Sequence, residues 1–181
     1  MQRFSSKKIA LAGVASAISL LAVILSFYIP NMSLSLNILA ACGILIPLTQ
    51  KYYREAILAF VAVTALGAIF ANIHILSFVL IGGSYTIATV AMYNNREKVK
   101  WFISYPVKIA YSCFVFFVMY YLTDIFFVNF DVLKISLENK ALVYFLLNLV
   151  FTIVFLVYDY LLLWGYSYAI PIVNKVTRNL K

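Results

Sequence analysis

Six long runs of apolar residues, separated by short polar stretches, dominate the pattern of the chain. Each run approaches or exceeds the roughly 20 residues that a helix needs to cross a bilayer. The pattern therefore predicts an all-α membrane protein, a six-transmembrane-helix bundle that forms one domain over residues 1–181. The predicted spans cover about 8–30, 34–50, 56–71, 75–93, 103–122 and 141–166. The first run is too long for a signal peptide, so an uncleaved span is expected.

Three of the runs carry residues that interrupt or modify a regular helix. Pro47 removes a backbone donor and is expected to kink the second span. Residues 82–86 read GGSYT, which predicts either a local break or a close helix contact, the close contact being favoured over a ligand site. Alanines recur every third residue from Ala56 to Ala71, which predicts a thin helix that touches neighbours on several sides.

Composition supports the same protein class, since 65% of the residues are hydrophobic and only 11% are charged. Soluble domains are nearer to half apolar and a quarter charged. The two cysteines, Cys42 and Cys113, lie in apolar runs without metal-ligand or redox spacing. We therefore expect both to be small buried hydrophobic residues rather than a disulfide or a metal site.

The net charge of +8 has an uneven distribution along the chain. Of the 14 lysines and arginines, 11 lie in segments that six spans place on one side, and two, Lys134 and Lys140, lie on the other. By the positive-inside rule both termini are cytoplasmic. Membrane topology then explains the excess of positive charge, so this charge no longer suggests nucleic-acid binding.

Two charged residues, Lys108 and Asp159, lie inside apolar runs. Lys108 follows Trp101 by seven residues, about 10 Å of helix, and Asp159 precedes Trp164 by five, about 7–8 Å. If both tryptophans mark one membrane interface, the depths match and an ion pair is expected, as a structural clamp more often than as a proton relay. The alternative is that Pro106 begins the fifth span and Lys108 snorkels to the surface.

No catalytic constellation, phosphate-binding loop or metal-binding motif is visible in the sequence, so we expect neither an enzyme nor a resident cofactor or metal. The first run is rich in small residues. Gly13 with Ala17, and Ala15 with Ser19, have the small-xxx-small spacing that allows two helices to approach closely. This face packs either inside the bundle or against a separate membrane subunit.

The length, the span count and the first helix (KKIALAGVASAIS, Lys7–Ser19) resemble the substrate-binding S components of energy-coupling factor transporters. The resemblance implies a docking face at Ala10, Gly13 and Ala17 for a transmembrane coupling subunit that carries two ATPases. It also implies a small-molecule solute, not identified by any motif, that binds in the outer half of the membrane. Six polar residues are then expected to line that pocket, namely Asn37, Asn72, His74, Ser77, Tyr144 and Asn148.

A second function class stays open, a membrane scaffold or assembly factor of the cell-shape or envelope type that transports nothing. A polar pocket in the outer half favours the solute-binding subunit, whereas a solid apolar interior there favours the scaffold. The stretch Asn148–Leu162 (NLVFTIVFLVYDYLL) is similar to the last helix of small uncharacterised membrane proteins of Gram-positive bacteria. This similarity implies a bacterial plasma membrane as the location and carries no chemistry.

Overall fold

The computed structural model describes residues 6–71, 74–95, 101–122 and 140–179. These residues are almost entirely helical, and no strand occurs among them, so the predicted all-α class is confirmed. Five of the helices are long and apolar enough to cross a membrane, which indicates a multi-pass membrane protein. A sixth apolar helix is shorter, with its apolar part at Ser35–Thr49.

The helices follow the apolar runs of the sequence closely. They are α1 (Ser6–Tyr28), α2 (Ser33–Thr49), α3 (Tyr53–Ala71), α4 (Ile75–Asn94), α5 (Trp101–Leu122) and α6 (Lys140–Asn179). A single 3₁₀ turn, Pro30–Met32, connects α1 to α2. These described residues fall into two compact units, one within Met1–Asn94 and Leu161–Lys181 and the other within Asn95–Tyr160. Helix α6 contributes residues to both units.

In the first unit, α1 packs one face against α2 and α3. Its buried positions include Leu11, Ala15, Ser19, Ala22 and Ser26, which recur every three or four residues as a single helical face requires. The Ser19 hydroxyl donates a hydrogen bond to the Ala40 carbonyl over 2.7 Å. Small side chains therefore let α1 and α2 approach until a side-chain hydroxyl reaches the backbone of the neighbouring helix.

Glycine makes the closest part of the α1–α2 contact possible. A Cβ atom at Gly43 would overlap the Ser19 hydroxyl and come within 3.1 Å of the Ala15 carbonyl oxygen. Any side chain at Gly43 would therefore push the two helices apart.

Helix α3 buries one face only. Its buried residues include Ala56, Ala59, Val63 and Gly67, spaced by three or four residues. The alanine repeat drifts off this face, so that Ala65 and Ala68 are exposed. The alanines do spiral around α3, as a spacing of three requires, but its buried residues lie on one face only, so the expectation that α3 touches neighbours on several sides is wrong.

Helix α4 contains a π-helical segment, Phe78–Ser84, at the glycine-rich interruption. The Ser84 hydroxyl donates to the Val79 carbonyl five residues earlier, over 2.6 Å, which fits the wider turn of a π-helix. A Cβ atom at Gly83 would overlap the ring of Phe60. The GGSYT stretch therefore has the expected close packing, through a widened helix and without an unwound segment.

Several helix ends of the first unit meet in a hydrogen-bonded cluster around Tyr166, which is 1% exposed. Asn94 donates to the hydroxyls of Tyr53, over 2.8 Å, and Tyr166, over 3.0 Å. The Tyr166 hydroxyl donates to the carbonyl of Leu48, over 3.3 Å. The end of α2, the start of α3 and the end of α4 are thus tied to α6.

Candidate functional site

A line of polar side chains runs between α5 and the first part of α6 in the second unit. We call it the polar seam, and it consists of Lys108, Ser112 and Cys113 on α5 and Asn148, Thr152 and Asp159 on α6. Both helices are apolar enough to cross a membrane, so polar groups between them have little access to water. The polar seam is therefore the first candidate for a functional site.

Lys108 and Asp159 form the charged end of the polar seam. The Lys108 ammonium lies 2.6 Å from Asp159 Oδ2, and the two side chains are only 7% and 9% exposed. The structure thus brings together the two residues whose depths match in the sequence. Lys108 does not extend to the protein surface, which sets aside the snorkelling alternative. Its ammonium also lies 5.9 Å from the centre of the Tyr105 ring.

Neutral side chains continue the polar seam away from the ion pair. The Ser112 hydroxyl, which is fully buried, donates to Thr152 Oγ1 over 3.2 Å. Thr152 in turn donates to Asn148 Oδ1 over 3.3 Å. The Cys113 thiol donates to the same oxygen over 3.4 Å. These hydrogen bonds give α5 and α6 a polar contact over several turns.

Helical spacing explains why these residues share one line. At 100° per residue, Asn148, Thr152 and Asp159 fall within about 40° of one another on α6. Lys108 and Ser112, four residues apart, lie within about 40° on α5. The two charges stand out in the sequence and the neutral members do not, although the intervals of four and seven residues on α6 carry that signal.

An aromatic cluster adjoins the Asn148 end of the polar seam. The Tyr144 ring stands edge-on to those of Phe116, with centroids 5.3 Å apart, and Tyr120, at 5.0 Å. Phe151 lies 5.4 Å from Phe116. Such edge-to-face pairs add stability beyond the area that they bury. Tyr144 and Asn148, two of the predicted pocket residues, therefore lie one helical turn apart on α6. Tyr144 packs among the aromatic rings, and Asn148 belongs to the polar seam.

The other predicted pocket residues belong to the first unit or lie outside the described residues. Asn37 is half-buried on α2, and its carbonyl oxygen lies 3.6 Å from where a Cβ would stand at Gly82. His74 is exposed, and its ring centroid lies 5.4 Å from that of Phe27. Ser77 is half-buried near the start of α4. Asn72 lies outside the described residues.

The predicted docking residues of α1 are exposed. Ala10, Gly13 and Ala17 fall within about 60° of one another on the helix. Apart from the neighbouring residues and backbone of α1 itself, no described atom lies within 4 Å of where a Cβ would stand at Gly13. The second pair of small residues, Ala15 and Ser19, is fully buried against α2. The two small-residue pairs therefore lie on different faces, one packed and one open.

Both cysteines are free and exposed, so the expectation that they are buried is wrong. A cysteine in a membrane-spanning helix need not be buried, because lipid tails are as apolar as the protein interior and can surround its side chain. Among the described residues, no group of three histidines, cysteines or carboxylates is placed to hold a metal ion.

Comparisons of the chain with protein-family models, with curated proteins and with solved structures found no match.

Proposed function

We propose that this chain is the solute-binding membrane subunit of an importer of the energy-coupling factor type. It crosses the bacterial plasma membrane six times, with both termini in the cytoplasm, and separate ATPase subunits supply the energy. The observation that carries the proposal is the open face of α1 at Ala10, Gly13 and Ala17. A coupling subunit docks on this face.

A face of small residues has a defined physical use in a membrane. Lipid provides little hydrophobic drive for helix association, so close backbone contact supplies much of the favourable energy. Side chains larger than alanine at Ala10, Gly13 and Ala17 would hold a partner helix away. The neighbouring exposed residues, Val14 and Ile18, are apolar and fit contact with lipid or with a partner helix.

The six-span topology includes α2, which has 17 residues and stands at the lower limit for a transmembrane helix. With α2 spanning, the helix ends around Tyr166 lie on the cytoplasmic side, together with Lys7, Lys51 and Arg54. The uneven distribution of lysine and arginine supports this orientation.

A specific observation favours the second candidate, a scaffold that binds no solute. In the first unit, the ring of Phe60 fills the space beside Gly83 and lies 6.0 Å from the ring of Phe78. This region is packed with apolar groups, whereas a ligand pocket would need polar ones.

For the importer, we therefore propose that the solute binds in the second unit, near Tyr144 and Asn148.

The docking claim is tested with matched leucine substitutions. Ala17→Leu is expected to abolish co-purification of an ATPase-linked membrane subunit while it leaves thermal stability unchanged, because Ala17 is exposed. Ala68→Leu, at an exposed alanine of α3, is expected to leave both properties unchanged. Ala15→Leu, at a fully buried position of α1, is expected to destabilise the isolated chain.

Two results would contradict the proposal. One is that the wild type co-purifies with no ATPase-linked subunit from its native membranes. The other is that Ala17→Leu retains the same partners in the same amounts as Ala68→Leu. Either result would leave the scaffold as the better description of the chain.

A further inference from the structure

The last turns of α6 lie beside the ends of two other helices in the first unit. Asn174 Oδ1 accepts a hydrogen bond from the side chain of Gln50, which follows α2, over 2.6 Å. The Thr177 carbonyl accepts one from the ammonium of Lys7, at the start of α1, over 2.5 Å. Because α1 is long and apolar enough to cross a membrane, its first turn stands at the membrane surface. These contacts therefore hold the end of α6 at the level of the lipid headgroups.

The same contacts gather positive charge at this end of the first unit, where the start of α1, the turn from α2 into α3 and the end of α6 meet. We call the six basic residues of these three segments the basic cluster, namely Lys7, Lys8, Lys51, Arg54, Lys175 and Arg178. Among the described residues of the unit, the one carboxylate is Glu55, which is nearly buried and lies 3.9 Å from Lys8. Like charges that share one surface repel, so an anion bound there would stabilise the fold.

Lys51 occupies a backbone position that favours glycine. Its φ angle is 57°, the only positive value among the described non-glycine residues. The backbone N–H of Lys51 donates to the Leu48 carbonyl, and that of Tyr52 donates to the Pro47 carbonyl. This pattern ends many helices with a left-handed residue, most often glycine, and a lysine there costs free energy relative to glycine. The turn itself does not require lysine, so what the residue adds is an exposed positive charge at the end of α2.

The outer face of α6 stays apolar up to the basic cluster. Five apolar side chains, each at least 50% exposed, lie within about 120° of one another around the helix, namely Leu161, Trp164, Tyr168, Ile172 and Val176. In a helix that crosses a membrane such a continuous face is turned to lipid, and tryptophan and tyrosine favour the headgroup level. Lys175, which is also exposed, falls within the same 120°. The basic cluster therefore adjoins a surface that lipid covers.

A phospholipid with a negatively charged headgroup satisfies both features, because its phosphate meets the positive charge and its acyl chains cover the apolar face. A soluble anion would meet the charge alone. The positive-inside rule explains the sign of the charge but not its concentration where three segments meet. We infer that the basic cluster binds the headgroup of an anionic phospholipid through the exposed side chains of Lys51, Lys175 and Arg178. The inference goes beyond the proposed function and holds for an importer and for a scaffold alike.

The test uses the full-length chain in detergent micelles, so it needs neither a coupling subunit nor a solute. The probes are phosphatidylglycerol and phosphatidylcholine with the same acyl chains, which differ in net charge, and glycerol phosphate, which has the phosphate without the chains. Native mass spectrometry measures binding, and thermal unfolding measures stability. Phosphatidylglycerol is expected to bind at least about tenfold more tightly than phosphatidylcholine and to raise the melting temperature, whereas glycerol phosphate is expected to do neither.

The variant Lys51→Gly separates a role in lipid binding from a role in folding. Because glycine adopts the left-handed conformation more easily, this variant without lipid is expected to melt at the wild-type temperature or higher, yet to bind phosphatidylglycerol about fivefold more weakly. The double variant Lys175→Gln/Arg178→Gln removes two exposed charges and is expected to weaken binding by at least about tenfold. The control, Lys140→Gln, removes a charge from the first residue of α6, at its other end, and is expected to leave binding unchanged.

Three results would overturn the inference. In the first, phosphatidylcholine or glycerol phosphate binds as tightly as phosphatidylglycerol. In the second, a folded Lys51→Gly variant and a folded double variant both bind phosphatidylglycerol like the wild type. In the third, Lys140→Gln weakens binding as much as Lys51→Gly does, which would mean that the attraction is spread over the whole chain instead of residing in the basic cluster.

Discussion

A lysine and an aspartate in contact inside apolar helices cost free energy that two apolar side chains would not. Lys108 and Asp159 are 2.6 Å apart and almost fully buried. Removing one partner leaves the other charge uncompensated, at a cost of about 3–5 kcal/mol for buried pairs, whereas replacing both is often neutral. Lys108→Met and Asp159→Leu are each expected to lower the melting temperature in detergent, and the double variant to recover most of the loss.

The control for this prediction is the pair formed by Lys8 and Glu55, which are 3.9 Å apart, with Lys8 37% exposed. Glu55 is only 8% exposed, but solvent reaches Lys8, and solvent screening makes such a pair weaker than a fully buried one. Lys8→Met is therefore expected to change the melting temperature less than Lys108→Met does. Losses that simply add in the Lys108→Met/Asp159→Leu variant would show that the two residues are not coupled.

Tyr166 provides a second test among single residues. Its buried hydroxyl bonds to Asn94 and to the Leu48 carbonyl, so Tyr166→Phe is expected to destabilise the chain by about 1–3 kcal/mol. Tyr168→Phe, two residues along the same helix at a 60% exposed ring, is the matched control. Equal melting temperatures for the two variants, measured in detergent, would show that the cluster around Tyr166 adds no stability.

Some of these contacts between residues can be predicted from the sequence, and others cannot. Lys108 and Asp159 could be matched because charges are rare in apolar runs and depth follows from 1.5 Å of rise per residue. The contacts of Tyr166 could not be found, since Tyr53, Asn94 and Leu48 lie far from it along the chain. The exposure of Cys42 and Cys113 was missed because a helix in lipid is apolar on every side.

At the scale of whole elements, the π-helical segment of α4 packs against Phe60 at Gly83, where there is no room for a side chain. Gly83→Ala places a methyl group where the ring of Phe60 lies, and overpacking of this kind typically costs about 1–3 kcal/mol. We expect a lower melting temperature for Gly83→Ala and partial recovery in Gly83→Ala/Phe60→Leu. Gly165→Ala is the control, because no described atom outside the adjoining backbone of α6 lies within 4 Å of the new Cβ. If Gly83→Ala and Gly165→Ala have the same melting temperature, the glycine at position 83 is not needed for packing.

Helix α1 shows how far an element can be derived from its sequence. The small-residue spacing predicts that a neighbour approaches closely, and α2 does so at Ala15 and Ser19. The same spacing occurs at Gly13 and Ala17, which the structure leaves exposed. Periodicity identifies both faces, but the choice between them depends on where Gly43 of α2 fits. That information lies in the partner helix and is absent from α1 itself.

For the whole molecule, the proposed orientation in the membrane rests on the distribution of basic residues. Single cysteines at Asn95 and Asn139 are expected to react oppositely with an impermeant thiol reagent, with Asn139→Cys labelled in intact cells. The background must lack Cys42 and Cys113, since both native thiols are exposed. Labelling of Asn95→Cys in intact cells would reverse the proposed orientation.

ATP-dependent uptake by the assembled complex tests the proposed function most directly. The chain would be purified from native membranes with its partners, reconstituted into proteoliposomes, and supplied with the compound that the purified chain retains. We predict that the compound accumulates only with ATP on the side of the ATPases, and that Ala17→Leu binds the compound without accumulating it. Equal accumulation with and without ATP, or normal uptake by Ala17→Leu, would contradict the account.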